Sequence, residues 1–506
     1  MHPLDHLPAT RRHFCTATGA GFGSLALLSM LDRDNARVAA AETVVAAAAG
    51  PLAARPAPLP ARAKSVIFLF MFGGPSQMDL FDHKPELAAR DGQSIENEFR
   101  TGAKTKAVLQ ASRRSFRRHG ESGQWVSDAL PQLARHADKL CFVKSLHSDS
   151  FAHGSALLEA NTGRILQGHP SIGSWVTYGL GSESADLPGY VVLLDPRGLP
   201  TSGVANWASG YMPAAFQGTV LRTEGGALAD LGPPPGFSRG MQRREIDFMN
   251  RLNESHRAGR EEASELAARI SAYELAYRLQ AAAPEALDIA DETAETRALY
   301  GIDEPKPDWH RLALGPAPFG RRCLVARRLV ERGVRFVQIY SGGGGAGGQQ
   351  SWDGHHGIEE NLSIHCPEID RPVAGLLEDL SRRGLLDSTL VVWGGEFGRM
   401  PVAETYNTGG KPGGRDHNPR GFTYFLAGGG VRGGMSYGAT DEIGEKAAEN
   451  PRHLRDLHAT ILHLLGFDHR RLTYFRGGLE EKLTGVVEAR PIREIMALSK
   501  TTTPNP

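Results

Sequence analysis

The sequence of 506 residues predicts an α/β fold, with a mostly parallel central sheet, helices on both faces and an inserted helical segment. Three observations predict it. Unbroken apolar runs recur along the chain, each ended by glycine, proline or polar residues, as in strands buried on both faces. A long amphipathic stretch separates two of these runs by the length a parallel crossover needs. The composition, with 60 Gly and 31 Pro and no collagen-like period, calls for many turns and loops rather than a helical bundle.

In chain order, residues 1–41 read as an address. Arg11-Arg12 precede His13-Phe14, a weakly apolar stretch runs from Cys15 to Met30, and Ala39-Ala40-Ala41 offers a small-residue cleavage site, with Ala46 to Ala49 a second. This pattern is that of a twin-arginine export signal. It implies the twin-arginine translocase as a partner and a periplasmic or secreted location. The apolar stretch falls short of the roughly 20 residues that span a bilayer, so no stable membrane span is expected. Residues 42–63 form a Pro/Ala-rich linker, in which Pro51 to Pro60 is expected to be an extended tether. The domain itself is expected over 64–498, and residues 499–506 as a disordered tail.

The first strand is expected from Ser65 to Phe72, ended by Gly73-Gly74-Pro75-Ser76. Similar runs follow at Leu140–Val143, Tyr190–Leu194, Val334–Tyr340, Thr389–Trp393 and Phe422–Leu426. Before Thr389, Ile369, Val373, Leu376, Leu377 and Leu380 repeat at helical spacing, and Gly384 stands where a C-terminal cap belongs. Strand, helix and strand from Val334 to Trp393 make a βαβ unit. A charged, Ala-rich region at about 238–300, with Leu266, Ile270, Tyr273 and Tyr277 in helical register, reads as a helical insertion over the sheet. The glycine run from Gly342 to Gly348 lacks the Gly-Lys-Ser/Thr ending of a phosphate loop and reads as a flexible connector.

Lys and Arg total 57 and Asp and Glu total 57, so bulk electrostatics offers nothing to nucleic acid. Phe99 to Gly120 nevertheless holds seven Lys or Arg and no carboxylate, either a solvated loop or an anion-attracting patch. Cys141, Cys323 and Cys366 are too widely spaced for a zinc finger or a disulfide framework, and are expected as buried core thiols.

Chemistry gathers in three loops that adjoin predicted strands. Trp352-Asp353-Gly354-His355-His356 brings a carboxylate and imidazoles within four positions, a set able to chelate one divalent cation. Glu396 follows a strand in Gly394-Gly395-Glu396-Phe397-Gly398-Arg399, and Asp416-His417 stands in Gly414-Arg415-Asp416-His417-Asn418-Pro419. If the strands are parallel, all three loops share the carboxyl edge of the sheet, where active sites collect. Each loop taken alone is equally a structural hydrogen-bond network.

With these segments the chain resembles the alkaline phosphatase and sulfatase superfamily, in particular a sulfatase-like branch of twin-arginine-exported bacterial proteins, a domain of unknown function. The resemblance spans nearly the whole mature chain. Beyond the three loops it rests on Phe72 to Asp79 with Phe81-Asp82-His83-Lys84-Pro85, on His153-Gly154-Ser155-Ala156 through Thr162-Gly163-Arg164, on His169 to Trp175, and on Asp456 to Gly466. It implies an alkaline phosphatase-like fold. It also implies a divalent metal, zinc, calcium, manganese or magnesium, held by Asp353, by His355 or His356, and by His417. Glu396, Asp416 and Asp79 are further candidate ligands. Two departures stand out: Glu396-Phe397 replaces an Asp-His pair, and Gly73-Gly74 stands where the first strand usually ends in a metal-binding Asp.

The nucleophile departs further. Sulfatases carry Cys-x-Pro-Ser-Arg, and the position matching that Cys is His153, so formylglycine chemistry is not supported. Ser155 is a candidate nucleophile. His153 is a candidate base, nucleophile, metal ligand or structural histidine. Arg399 is a candidate for charge stabilisation, and Ser76, Arg164 and Arg420 for holding the anionic group. The expected activity is metal-dependent hydrolysis of a phosphate or sulfate ester, either small or on a sulfated or phosphorylated glycan. The alternative is a catalytically degenerate relative that binds an anionic glycan or a partner without turnover.

Overall fold

Strand β1 (Ser65–Met71) is buried along its whole length because both of its faces are apolar. Ile67, Leu69 and Met71 enter one core, and Val66, Phe68 and Phe70 enter the other, the period-2 alternation of a strand between two helical layers. The computed structural model describes residues 51–97, 105–222, 236, 238–257, 264–344, 349–403 and 413–497. The expected signal at 1–41, residues 42–50 of the expected linker, the expected tail, residues 345–348 of the connector and part of the basic stretch lie outside these residues.

Around β1 the sheet adds β2 (Cys141–His147), β3 (Tyr190–Leu193), β4 (Thr219–Leu221), β5 (Phe336–Ser341) and β6 (Thr389–Gly394). A hairpin of β7 (Gly398–Ala403) and β8 (Arg415–Asn418) stands apart from it, and β9 (Phe422–Ala427) and β10 (Met435–Tyr437) return to it. The order is β10-β2-β9-β6-β1-β5-β3-β4, with Arg452–His453 pairing alongside β2. Only β9 runs against the others. The carboxyl ends of β1, β2, β3, β5 and β6 therefore share one edge.

All six strands expected from apolar runs are present, with boundaries that agree within four residues. The expected βαβ unit runs from β5 through helix α6 (Ile358–Arg382) to β6, but its two strands are not neighbours. Strand β1 lies between them and pairs with both. Pairing partners depend on the whole sheet, which a local pattern does not encode.

Helices α1 (His153–Thr162), α2 (Ile172–Leu180) and α7 (Leu454–Leu464) cover one face, and α5 (Pro316–Glu331) and α6 (Ile358–Arg382) the other. Helix α6 ends where expected: Gly384 has φ +68°, and Leu385 N donates to Leu380 O at 2.8 Å. The expected insertion is a pair of helices, α3 (Arg239–Arg257) and α4 (Ser264–Leu287). Cys141, Cys323 and Cys366 are buried free thiols.

The expected tether differs. Residues 51–63 lie along the fold: Arg55 N donates to Leu180 O at the end of α2, Arg62 N to Leu464 O at the end of α7 and Leu59 N to Gly466 O just after it, all at 2.8 Å. Proline supplies the extended backbone, but the N–H groups of the residues between find carbonyls at two helix ends, which composition does not reveal.

Candidate metal centre

Four loops at the common edge deliver the side chains. His153 opens α1 after β2, Asp353 and His355 follow β5, Glu396 follows β6, and His417 lies in β8. The backbone is shaped to let them meet. Gly73 at φ +115° lies so close to the Asp353 loop that a Cβ would sit 2.5 Å from Asp353 N, and a Cβ on Gly414 would sit 1.9 Å from His355 O.

Ligand atoms of His153, Asp353, His355 and His417 lie within 4.8 Å of one another, and all four residues are buried. His355 Nε2 is 3.0 Å and His417 Nε2 3.1 Å from Asp353 Oδ1, and the two imidazole nitrogens are 2.8 Å apart. Each imidazole has a specific partner on its far side or within the cluster. His417 Nδ1 donates to Phe151 O at 2.8 Å, so its Nε2 presents a lone pair. His153 Nδ1 donates to Glu396 Oε1 at 2.7 Å, and its Nε2, 3.3 Å from Asp353 Oδ2, is buried without a hydrogen-bond partner. A carboxylate or carbonyl behind an imidazole, with the other nitrogen aimed inward, is the arrangement that orients metal-ligating histidines.

The donor set fits a divalent cation on these grounds. Two imidazole nitrogens facing each other at 2.8 Å require something positive between them: a proton in the metal-free protein, carried by His355 because the proton of His417 is committed to Phe151, or a metal ion in its place. Electrostatics agree. Burial favours the neutral form of Asp353, but Arg399 and the three imidazoles hold its carboxyl well below the usual carboxylate range. Burial pushes His417 well down, only partly offset by Asp353, so it stays neutral. Burial opposes a charge on His153 as well, yet Asp353 and Glu396 outweigh it and raise His153 to about 9.

Phe397 occupies the place where the resemblance led one to look for an imidazole. Its ring stacks on His417 with centroids 4.3 Å apart and tilts against His153 at 5.0 Å. It therefore fixes two of the imidazoles by packing, and Glu396 serves as the carboxylate behind His153 rather than as a member of the four-residue cluster. Its Oε1 also accepts from Gly73 N at 2.9 Å.

Other expected site residues stand elsewhere. Asp79 is fully buried and is taken by Arg415, whose Nε and Nη2 donate to it at 2.8 and 3.3 Å, with Ser76 Oγ as a third donor. Both are thus committed to an internal ion pair, not to a ligand or anion. Arg399 is 0% exposed and donates to Asp353 Oδ1 at 2.7 Å and to the carbonyls of Gly73, Gly74, Trp352 and Arg415. It positions Asp353 and has no spare fork for an ester. Arg420 is exposed and paired with Glu445 at 2.6 Å, and Arg164 donates to Gly163 O and Lys482 O. Ser155 Oγ bonds Ser150 Oγ at 2.6 Å. Asp416 accepts from His417 N, and His356 lies outside the cluster that His355 joins.

Three contributors were not singled out from the sequence. Arg415 stood inside a quoted segment, and a buried arginine beside a candidate acid is a signal that can be read. Gln77, which accepts from Arg399 N at 2.8 Å and donates to Arg399 O at 2.9 Å, lay in the Pro-Ser-Gln-Met-Asp segment. The carbonyl of Phe151 leaves no side-chain signature. A second group of potential ligands, Asp149, Glu159 and His453, is a salt-bridge network instead. His453 Nδ1 accepts from Arg455 N, its Nε2 lies 3.2 Å from both Asp149 Oδ1 and Glu159 Oε1, and the Arg455 guanidinium, bonded to Asp149, already supplies the cation.

A family model described as "Protein of unknown function (DUF1501)" matches residues 63–496. No curated protein sequence matches the chain. Among solved structures, a phosphonate monoester hydrolase from Silicibacter pomeroyi is 13% identical, with 86% of this chain and 78% of that one covered and a TM-score of 0.33. The PsFucS1 sulfatase from Pseudoalteromonas sp. is 13% identical, with 80% and 68% covered and a TM-score of 0.32. An alkaline phosphatase from the Antarctic bacterium TAB5 is 12% identical, with 73% and 92% covered and a TM-score of 0.28.

Proposed function

We propose, because this chain belongs to the family described as a protein of unknown function (DUF1501), a function read from its site: an exported, metal-dependent hydrolase of phosphate or sulfate esters. Its substrate is a small anionic ester or a sulfated or phosphorylated glycan. One observation carries the reading, the convergence of His355 Nε2, His417 Nε2 and Asp353 Oδ1 within 3.1 Å at the carboxyl edge of the sheet. A divalent cation held there, whether zinc, calcium, manganese or magnesium, would polarise the ester oxygen and promote attack by Ser155 or a water.

The chain's own residues prepare the site. Phe151 O fixes the proton of His417 on Nδ1, so its Nε2 presents a lone pair, and Glu396 holds a proton on Nδ1 of His153, whose Nε2 becomes a ligand once a cation displaces the second proton that Asp353 and Glu396 favour there. Arg399 offsets the charge of Asp353 at 2.7 Å. The carboxylates therefore attract a cation without giving the site an excess negative charge that would repel an anionic ester. The groups named here come from four separate segments, residues 151–155, 353–355, 396–399 and 417, so the site depends on the folded sheet edge.

The degenerate reading has its own support: Ser155 Oγ is engaged with Ser150 Oγ, and Phe397 stands in place of a second imidazole. Assays on aryl phosphates, phosphodiesters and aryl sulfates, with metal content monitored, separate the two. The hydrolase reading expects turnover that Asp353→Ala abolishes. Equal background rates from both proteins leave a binding protein.

A further inference from the structure

We propose that helix α3 is an interfacial helix that seats this protein on an anionic phospholipid surface, independently of the metal centre. Its amphipathicity is turned outward. Toward α4, Arg243 donates to Glu274 through Nη1 and Nη2 at 2.8 Å, and Asn250 Nδ2 donates to Glu274 Oε1 at 2.6 Å. Side-chain atoms of Gln242, Asn250 and Asn253 are shielded from solvent as well, so the packed face is polar apart from the half-buried Ile246. The opposite face carries Met241, Phe248 and Leu252, exposed by 41%, 53% and 50%. Their spacing of i, i+7 and i+11 places them in one stripe along the helix, and Met249 widens it beyond the exposed Glu245, the carboxylate on that face. A helix at a protein surface normally buries its apolar stripe. One that buries its polar side and exposes the stripe presents a surface to be covered.

Charge selects the cover. The helix holds Arg239, Arg243, Arg244, Arg251 and Arg257 against Glu245, Asp247 and Glu254. Arg244 and Arg251, two turns apart along one flank of the stripe, are exposed, and Arg251 adds to the hold that Arg243 has on the Asp247 carboxylate. Apolar side chains flanked by exposed arginines are what a helix lying in the headgroup region of an anionic bilayer requires. A second copy of the chain would bring two net-positive helices together across a two-fold axis, which favours the lipid surface over self-pairing. Docking of this kind needs no span, and no helix of the described residues is long and apolar enough to cross a membrane.

Sedimentation of the purified protein with vesicles tests this. Binding is expected to phosphatidylcholine vesicles containing phosphatidylglycerol and not to phosphatidylcholine alone, and to weaken with salt. Phe248→Asp with Leu252→Asp should lower the bound fraction about tenfold or more, because two apolar side chains are withdrawn from the interface. Arg244→Gln with Arg251→Gln should weaken binding several-fold and remove most of its salt dependence. All four side chains are exposed, so melting temperature and metal content should stay as in the wild type. Absence of binding to anionic vesicles, undiminished binding by the Asp pair, or a wild-type dimer that the Asp pair converts to monomer would each overturn the proposal.

Discussion

Replacing Asp79 by Asn separates two roles that a buried acid beside a metal centre can have. The carboxylate is fully buried and accepts three hydrogen bonds, two from Arg415 at 2.8 and 3.3 Å and one from Ser76. Arg415 is equally buried, and its remaining bond is to Met400 O. Asn preserves the shape and one acceptor oxygen but leaves the guanidinium without a counter-charge. Breaking a buried pair in this way costs about 3–5 kcal/mol. For a folded unit of roughly 430 residues, whose unfolding entropy is about 0.9 kcal/mol per degree, that corresponds to a fall in melting temperature of about 3–5 °C. Scanning calorimetry measures the fall, and elemental analysis on the same samples should find metal content at the wild-type level. Loss of metal with an unchanged melting temperature would refute the reasoning and make Asp79 a ligand.

Other outcomes follow from the same geometry. In metal-free protein, His153 binds its proton more tightly when folded, at about 9 against 6.5 unfolded, so its stabilisation is complete below about pH 6.5 and is lost as pH rises through about 9. Melting temperature in the presence of a chelator should fall over that window, and Glu396→Gln should flatten the fall. Metal affinity should rise with pH over the same window, because the cation competes with that proton; titration calorimetry at several pH values checks it. Gly414→Ala would place a methyl 1.9 Å from His355 O. It should displace the loop and weaken metal binding by tenfold or more, measured by competition with a chromogenic chelator. Phe397→Ala removes the ring that stacks on His417 at 4.3 Å. It should cost about 3–5 kcal/mol in stability, seen in denaturant unfolding.

The fold was largely legible because a doubly buried strand writes an unbroken apolar run, and six such runs gave six strands of the central sheet. What they could not write was neighbour order: β5 and β6 each pair with β1, a relation set by contacts some 270 to 320 residues apart. Strands β4, β7 and β8 were missed, since the three and four residues of β4 and β8 carry too little periodicity and the six of β7 are interrupted by Pro401. At the site, the Asp-x-His spacing marked Asp353 and His355, and Asp-His marked His417, because ligand chemistry selects residue type. Residue type alone did not separate a ligand from its support. Glu396, Arg399 and Asp79 have the chemistry of ligands and clamps, yet each is committed to a buried partner that only the tertiary structure reveals. The carbonyl of Phe151 was beyond sequence reasoning altogether, since any residue supplies one.

The central claim is that His153, Asp353, His355 and His417 form a metal site. Titration calorimetry of chelator-treated protein with zinc and with manganese, for the wild type and His417→Ala in parallel, tests it most directly. The account predicts one cation per chain for the wild type and loss of that binding in the variant, with the variant still folded. Wild-type protein that binds neither ion, or a variant that binds as the wild type does, would contradict it.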